Sequence, residues 1–188
     1  MIIGLSGTLA AGKDTVAEYL VEREGFDHIS LSVILRKIAM EKGLGIDLGN
    51  LTLLGNSLKD EYGPGYLVKR AKKETDFNKD ITVSSIRQPE EIEELKKEKN
   101  FFMIFVDADD EIRFNRLVKR GRVGDTNRFE KFQDLEKKQL DGQSGGINLG
   151  KCREMADYVL ENNGTLVEFE NKIRVAFEDI EKRVKSGE

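Results

Sequence analysis

Met1-Ile2-Ile3-Gly4-Leu5-Ser6-Gly7-Thr8-Leu9-Ala10-Ala11-Gly12-Lys13-Asp14-Thr15 opens the chain, and its reading decides the fold. Ile2, Ile3 and Leu5 make a short apolar strand that runs into Ser6-Gly7. From about Lys13, Val16, Ala17 and Leu20 repeat at helical spacing, and Gly25 stops the helix. Between them lies Gly7-Thr8-Leu9-Ala10-Ala11-Gly12-Lys13, a match to G-x-x-x-x-G-K in the strand–loop–helix context that this motif requires. Its glycines let the backbone curl so that several N–H groups point inward. The helix start adds partial positive charge, and Lys13 adds a mobile full charge. The pattern alone arises by accident in roughly one chain of this length in twenty, so the flanking strand and helix carry the assignment to polyphosphate. The position after Gly-Lys usually holds the Ser/Thr that ligates magnesium. Asp14 stands there, followed by Thr15, and Asp is an oxygen ligand that serves magnesium directly or through water.

Working outward, the chain alternates strands and helices. Strands are expected at Phe26–Leu31, Ile81–Ser85, Phe101–Val106 and Ala156–Leu160. The run Phe101–Val106 is continuously apolar, as a strand buried on both faces of a parallel sheet should be. Helical spacing appears in Ile34, Leu35, Ile38 and Ala39, in Leu51, Leu54 and Leu58, and in Leu67, Val68 and Ala71 after Pro64. A further helix opens at Pro89-Glu90-Glu91, a basic one runs from about Asp109 to Arg120, and Phe129, Phe132 and Leu135 suggest a short one. Asp141–Gly150 carries four glycines and reads as a flexible connection. Thr165 and Glu168 form a capping box for a last helix whose expected buried stripe is Leu166, Phe169, Ile173, Phe177, Ile180 and Val184. Five strands each followed by helix mean an α/β fold of three layers around a five-stranded parallel sheet. The expectation is one domain over 1–188, with excursions at about 43–78 and 121–150.

Composition narrows the function. The 188 residues are 38% hydrophobic with 18 glycines, a globular balance. No apolar run approaches the ~20 residues of a membrane span, and Met1-Ile2-Ile3-Gly4 has no basic leader region, so a cytoplasmic protein away from membranes is expected. Cys152 and His28 are single, which excludes an internal disulfide and a Cys/His zinc site. Both read as structural. The net charge of −4 argues against nucleic acid as a partner. Residues 113–138 nevertheless hold nine Lys/Arg against four Asp/Glu, an island suited to an anion.

Arg113, Arg116 and Arg120 are spaced i, i+3, i+7 and share one helix face, with Leu117 and Val118 nearer the other. Like charges at this spacing repel, and a polyphosphate would turn the repulsion into charge-assisted hydrogen bonds. Arg122 extends the cluster into a Gly-containing loop, as a lid over a transferring phosphoryl group would require. Arg36 and Arg87 follow the second and third strands. Ligands in open α/β sheets bind beyond the carboxyl ends of strands, so these two are placed to grip a phosphorylated substrate.

With the phosphate loop, the segments Ile29–Arg36, Ser85-Ile86-Arg87 and Arg116-Leu117-Val118-Lys119-Arg120-Gly121-Arg122 resemble the nucleoside monophosphate kinase group. Ala156–Thr165 resembles dephospho-CoA kinases, and Tyr62-Gly63-Pro64-Gly65 is similar to kinase-like domains found beside deoxycytidylate deaminases. The resemblance implies a P-loop NTPase fold with an acceptor-side helical segment and a lid. It implies ATP and Mg2+ held by Gly7, Thr8, Leu9, Ala10, Ala11, Gly12, Lys13, Asp14 and Thr15, with Asp14 and Thr15 toward the metal. It places the acceptor's phosphate on Arg36, Arg87 and Arg122, and Arg116 and Arg120 in the lid, with Arg120 also on the nucleotide. Lys13, Arg87, Arg116 and Arg120 are then the catalytic set, and Asn163 and Gly164 lie beside adenine. It also implies association with a deaminase or another protein of nucleotide metabolism. Relatives often carry Asp at the positions of Val33 and Ser84, and Asp14 or Asp107 are the carboxylates that could replace it here.

The function expected is transfer of the γ-phosphoryl group of ATP to a small phosphorylated acceptor, a nucleoside monophosphate first and dephospho-CoA second. A nucleotide-binding regulatory module weakened at Val33 and Ser84 is the alternative. A hydrolysing NTPase ranks third, since only Gln88 stands where a water-positioning Gln would follow the third strand.

Overall fold

The computed structural model describes residues 1–121, 126–143 and 146–187. Their strands are β1 (Ile2–Gly7), β2 (Asp27–Ser30), β3 (Ile81–Ser84), β4 (Phe101–Asp107) and β5 (Tyr158–Glu161). They form one sheet in the order β2-β3-β1-β4-β5 with every pairing parallel. The phosphate-loop strand β1 is therefore central, and each of its residues is buried. Its register runs from Ile2 opposite Ile81 and Phe101 to Gly7 opposite Val106.

Alternation along the strands feeds two cores. On one face Ile3, Leu5, Phe102, Ile104 and Val106 pack against α1 (Lys13–Glu24) and α9 (Leu166–Ser186). On the other, Ile2, Val83, Met103 and Phe105 pack against α2 (Leu31–Glu41), α3 (Leu48–Tyr62), α4 (Tyr66–Glu74), α5 (Pro89–Leu95) and α8 (Leu149–Glu154). Each fully buried Leu or Ile contributes roughly 1.5–3 kcal/mol relative to exposure. Two more helices, α6 (Asp110–Arg120) and α7 (Phe129–Leu140), join through Phe114, Phe129 and Phe132.

Several boundaries differ from the sequence expectation. The fourth helix begins at Tyr66, not Pro64, because Gly65 takes a left-handed conformation as its N-cap. The last strand starts at Tyr158, since Ala156 and Asp157 turn out of α8, a helix that starts at the end of the glycine-rich stretch and that the sequence reading did not expect. The phenylalanine-marked helix α7 spans 12 residues. In α9 the capping box forms as expected, but Leu166 lies in the first turn and is 60% exposed, while Phe169, Ile173, Phe177 and Ile180 are buried. Among the described residues no helix is long and apolar enough to cross a membrane.

Candidate nucleotide and acceptor site

The loop after β1 is shaped by backbone conformation. Gly7 has φ +146, and a Cβ there would collide with the Val106 carbonyl oxygen. Gly12 has φ +108, and a Cβ there would collide with the Asn162 carboxamide. The Thr8 amide donates to Val106 O at 3.2 Å and the Ala11 amide to Thr8 O at 3.3 Å, which closes the loop on the sheet. Gly12 gives α1 no side-chain cap, so the amides of its first turn are available to an anion.

Lys13 folds back over this loop and donates from Nζ to the carbonyls of Gly7 (2.9 Å) and Thr8 (2.5 Å). Burial and the nearby charge of Arg87, reinforced by Arg113 and Arg120, lower its pKa to about 7, with Asp14 opposing. Arg87 keeps solvent access, yet enclosure by protein and then Arg36 lower its own pKa, with Glu91 opposing. Beneath it, buried Glu91 accepts from the backbone amides of Arg87 (2.8 Å) and Gln88 (3.1 Å), and burial pushes it up to about 7. Glu91 holds the turn that aims Arg87.

The side expected to meet the acceptor carries a cluster of hydroxyl groups. Ser30, Ser32 and Ser85 form a triangle of Oγ–Oγ contacts at 3.0, 3.0 and 3.3 Å. Ser85 holds a left-handed backbone with φ 64. Arg36 reaches back to Ser32 O (3.2 Å) and Ser32 Oγ (3.1 Å). Val33 is 60% exposed and offers an apolar surface. Ser84 faces the opposite core, where its Oγ lies 2.8 Å from His28 Nε2. The His28 pKa is lowered by burial, with Asp14 opposing.

On the other flank, Asp107 is a tether. Its Oδ1 accepts from Thr8 Oγ1 (2.7 Å) and the Ala108 amide (3.0 Å), and Arg153 Nη1 lies 3.3 Å from its Oδ2. Sequence reasoning missed Arg153, because no local pattern in α8 connects it to β4. The metal expectation rests on Asp14 and Thr15 in the first turn of α1. Among the described residues no group of three or more His, Cys, Asp or Glu gathers to hold an ion.

The arginine face expected of α6 is corrected. Arg113 is buried at 3% exposure beside buried Leu117, while Val118 is exposed. Arg113 Nε donates to Ala108 O (2.5 Å), Nη1 to Leu9 O (3.4 Å) and to the Glu136 carboxylate, and Nη2 to Asp110 Oδ1 (2.5 Å). Its guanidinium also lies 5.3 Å from the Phe132 ring. Arg113 is thus an internal tie between the phosphate loop, α6 and α7, and not an exposed phosphate ligand. Arg116 turns to the end of β5, where its Nη2 donates to Asn162 O at 3.0 Å. Arg120 is half-buried and acts on Lys13 through its charge. Asn163 pairs with Asp109, its Oδ1 accepting from the Asp109 amide (2.8 Å) and its Nδ2 donating to Asp109 Oδ1 (2.9 Å). Gly164 packs against Glu168. Arg122 lies outside the described residues.

A family model described as AAA domain (AAA_18) matches residues 3–138. A UPF0200 protein of Sulfurisphaera tokodaii is 30% identical over 184 residues, covering 97% of each chain. Among solved structures, a shikimate kinase from Bacteroides thetaiotaomicron superposes with TM-score 0.62 at 13% identity, covering 96% of this chain and 98% of its own. A dephospho-CoA kinase from Campylobacter jejuni superposes with TM-score 0.52 at 16% identity, covering 95% and 96%. At these identities the structures establish the fold: an all-parallel α/β sheet of the P-loop kinase-like type.

Proposed function

This chain belongs to the AAA domain family and to the UPF0200 proteins, and on that footing we propose that it is an ATP-dependent phosphotransferase acting on a small phosphorylated acceptor. The carrying observation is the geometry of the loop after β1: Gly7 and Gly12 hold positive φ, the first turn of α1 has no side-chain cap, and Lys13 Nζ folds over the loop onto the carbonyls of Gly7 and Thr8. Uncapped helix-start amides with a lysine beside them suit a bound anion of high charge density, which a nucleoside triphosphate supplies.

The roles follow from placement. The loop 7–12 and the first turn of α1 receive the β- and γ-phosphates, and Lys13 exchanges its two loop carbonyls for phosphate oxygens. Asp14 and Thr15 suit a magnesium ion that arrives with the nucleotide, which would neutralise the developing charge on the leaving phosphate. Arg120 stabilises the transferring group. Arg36 and Arg87 hold the acceptor's phosphate, beside the serine triangle and Val33. A nucleoside monophosphate ranks before dephospho-CoA, because its phosphate oxygen arrives ionised and needs no base, and Val33 supplies none. Asp107 is engaged by Thr8, Ala108 and Arg153. On this reading the protein works in the cytoplasm as one domain, alongside a deaminase or another protein of nucleotide metabolism. A nucleotide-binding regulatory module is the second reading, favoured by Val33 and Ser84 in place of carboxylates.

ADP release measured across nucleoside monophosphates and dephospho-CoA separates these readings. The kinase reading expects one acceptor to raise release well above the ATP-only rate, and Lys13→Ala to abolish it. Binding of Mg-ATP with no acceptor response would leave the module standing instead.

A further inference from the structure

Asn162 joins three parts of the molecule that carry the phosphate loop and the helix beside it. It follows β5, and its backbone amide donates to Asp107 O at 2.8 Å, extending the ladder one residue beyond the strand. Its side chain is buried, at 7% exposure for the residue. Nδ2 donates to Ala11 O in the phosphate loop at 2.8 Å. Oδ1 accepts from Arg116 Nη2 at 3.3 Å, and the same Nη2 reaches Asn162 O at 3.0 Å. A carboxamide has one donor end and one acceptor end, and both are used here in a single orientation. The fit is close enough that a Cβ at Gly12 would strike Nδ2. Gly12 is thus required by Asn162 as well as by its own φ.

The same contact leaves an imbalance. One terminal nitrogen of Arg116 is held by Asn162, while the other, Nη1, is buried without a hydrogen-bond partner among the described residues. Buried donors are nearly always paired, so an unpaired guanidinium nitrogen beside the loop points to an acceptor atom supplied by a ligand. Its direction depends on Asn162, which depends in turn on the Ala11 carbonyl. We propose that Asn162 is a positioning residue that couples the phosphate loop to Arg116, so that Arg116 Nη1 meets an acceptor atom of the nucleotide only when the loop is correctly formed. The inference rests on the nucleotide-binding reading above and deepens it: Arg116 is set by the loop.

A double-mutant cycle on Mg-ATP affinity tests this, because coupled residues lose less together than the product of their separate losses. Isothermal titration of the full chain would compare wild type, Asn162→Ala, Arg116→Ala and the double variant, with ligand-free melting recorded for each. The expected result is a loss of about tenfold in affinity for each single variant. The double variant should fall within about threefold of Arg116→Ala, since without Arg116 the carboxamide has nothing to aim. Losses that multiply to about a hundredfold would overturn the proposal. So would an Asn162→Ala protein that melts lower yet binds Mg-ATP within twofold of wild type. If Asn162→Ala does not fold, Asn162→Asp takes its place in the cycle. It keeps the size and the oxygen facing Arg116 but turns the donor facing Ala11 into an acceptor, and the same criterion applies. A wild-type chain that does not bind Mg-ATP would fell the nucleotide reading and this proposal together, whereas binding with an insensitive Asn162 fells this proposal alone.

Discussion

Binding of Mg-ATP should draw a proton from solution onto Lys13. In the ligand-free protein its pKa is lowered to about 7, first by burial and then by Arg87, Arg113 and Arg120. At pH 8 only about a tenth of the molecules carry the ammonium. Phosphate oxygens favour the charged form and return the group toward its ordinary value. Binding at pH 8 should therefore take up about 0.9 proton per site, and at pH 6 about 0.1. Affinity should weaken about fivefold from pH 7 to pH 8 and about tenfold from pH 8 to pH 9, which is 1.4 kcal/mol for the last step. Titration calorimetry in two buffers of different ionisation enthalpy counts the proton directly, and Lys13→Met should reduce the count to near zero. The ligand-free chain supplies an independent check of sign. Unfolded Lys13 binds more protons than folded Lys13 between pH 7 and its ordinary value of 10.5, so this residue's contribution makes folding stability rise with pH across that window. Identical binding heats in both buffers at pH 8, with affinity flat from pH 7 to pH 9, would refute a lowered Lys13 pKa in the ligand-free protein.

Arg113→Ala should destabilise the fold by about 3–5 kcal/mol, because Glu136 would be left buried without its partner. Thermal melting should fall by roughly 10 °C, and a change under 2 °C would mean the tie is unimportant. Arg120→Ala should cut kcat about a hundredfold or more, with a much smaller change in ATP affinity. Arg36→Ala should chiefly raise KM for the acceptor, since its contact is made in the ground state as well; steady-state kinetics that show equal small effects at both positions would reduce them to a solvated surface.

The succession of strands along the chain, the parallel sheet and the phosphate loop were legible in the sequence because each rests on local rules. Strand β4 announces itself by an unbroken apolar run, and the loop needs its glycines at fixed spacing whatever surrounds it. The capping box at Thr165 and Glu168 is local in the same way, and it forms as read. The arginine face of α6 was not legible. Spacing places Arg113, Arg116 and Arg120 on one side of a helix, but it does not say what that side meets. Buried Glu136 lies 23 residues away and Leu9 lies 104 away, and only folding brings them to Arg113. The choice between Asn162 and Asn163 was hidden for a similar reason. Adjacent residues at a strand end point opposite ways, so one carboxamide reaches the phosphate loop and the other pairs with Asp109. What the sequence by itself determined is therefore the backbone: which segments pair, where the loop curls and where an anion finds amide donors. What only the tertiary structure decided is which charged side chains remain to meet that anion. A guanidinium's role depends on the partners that long-range packing brings within hydrogen-bond reach, and those partners leave no trace in local periodicity.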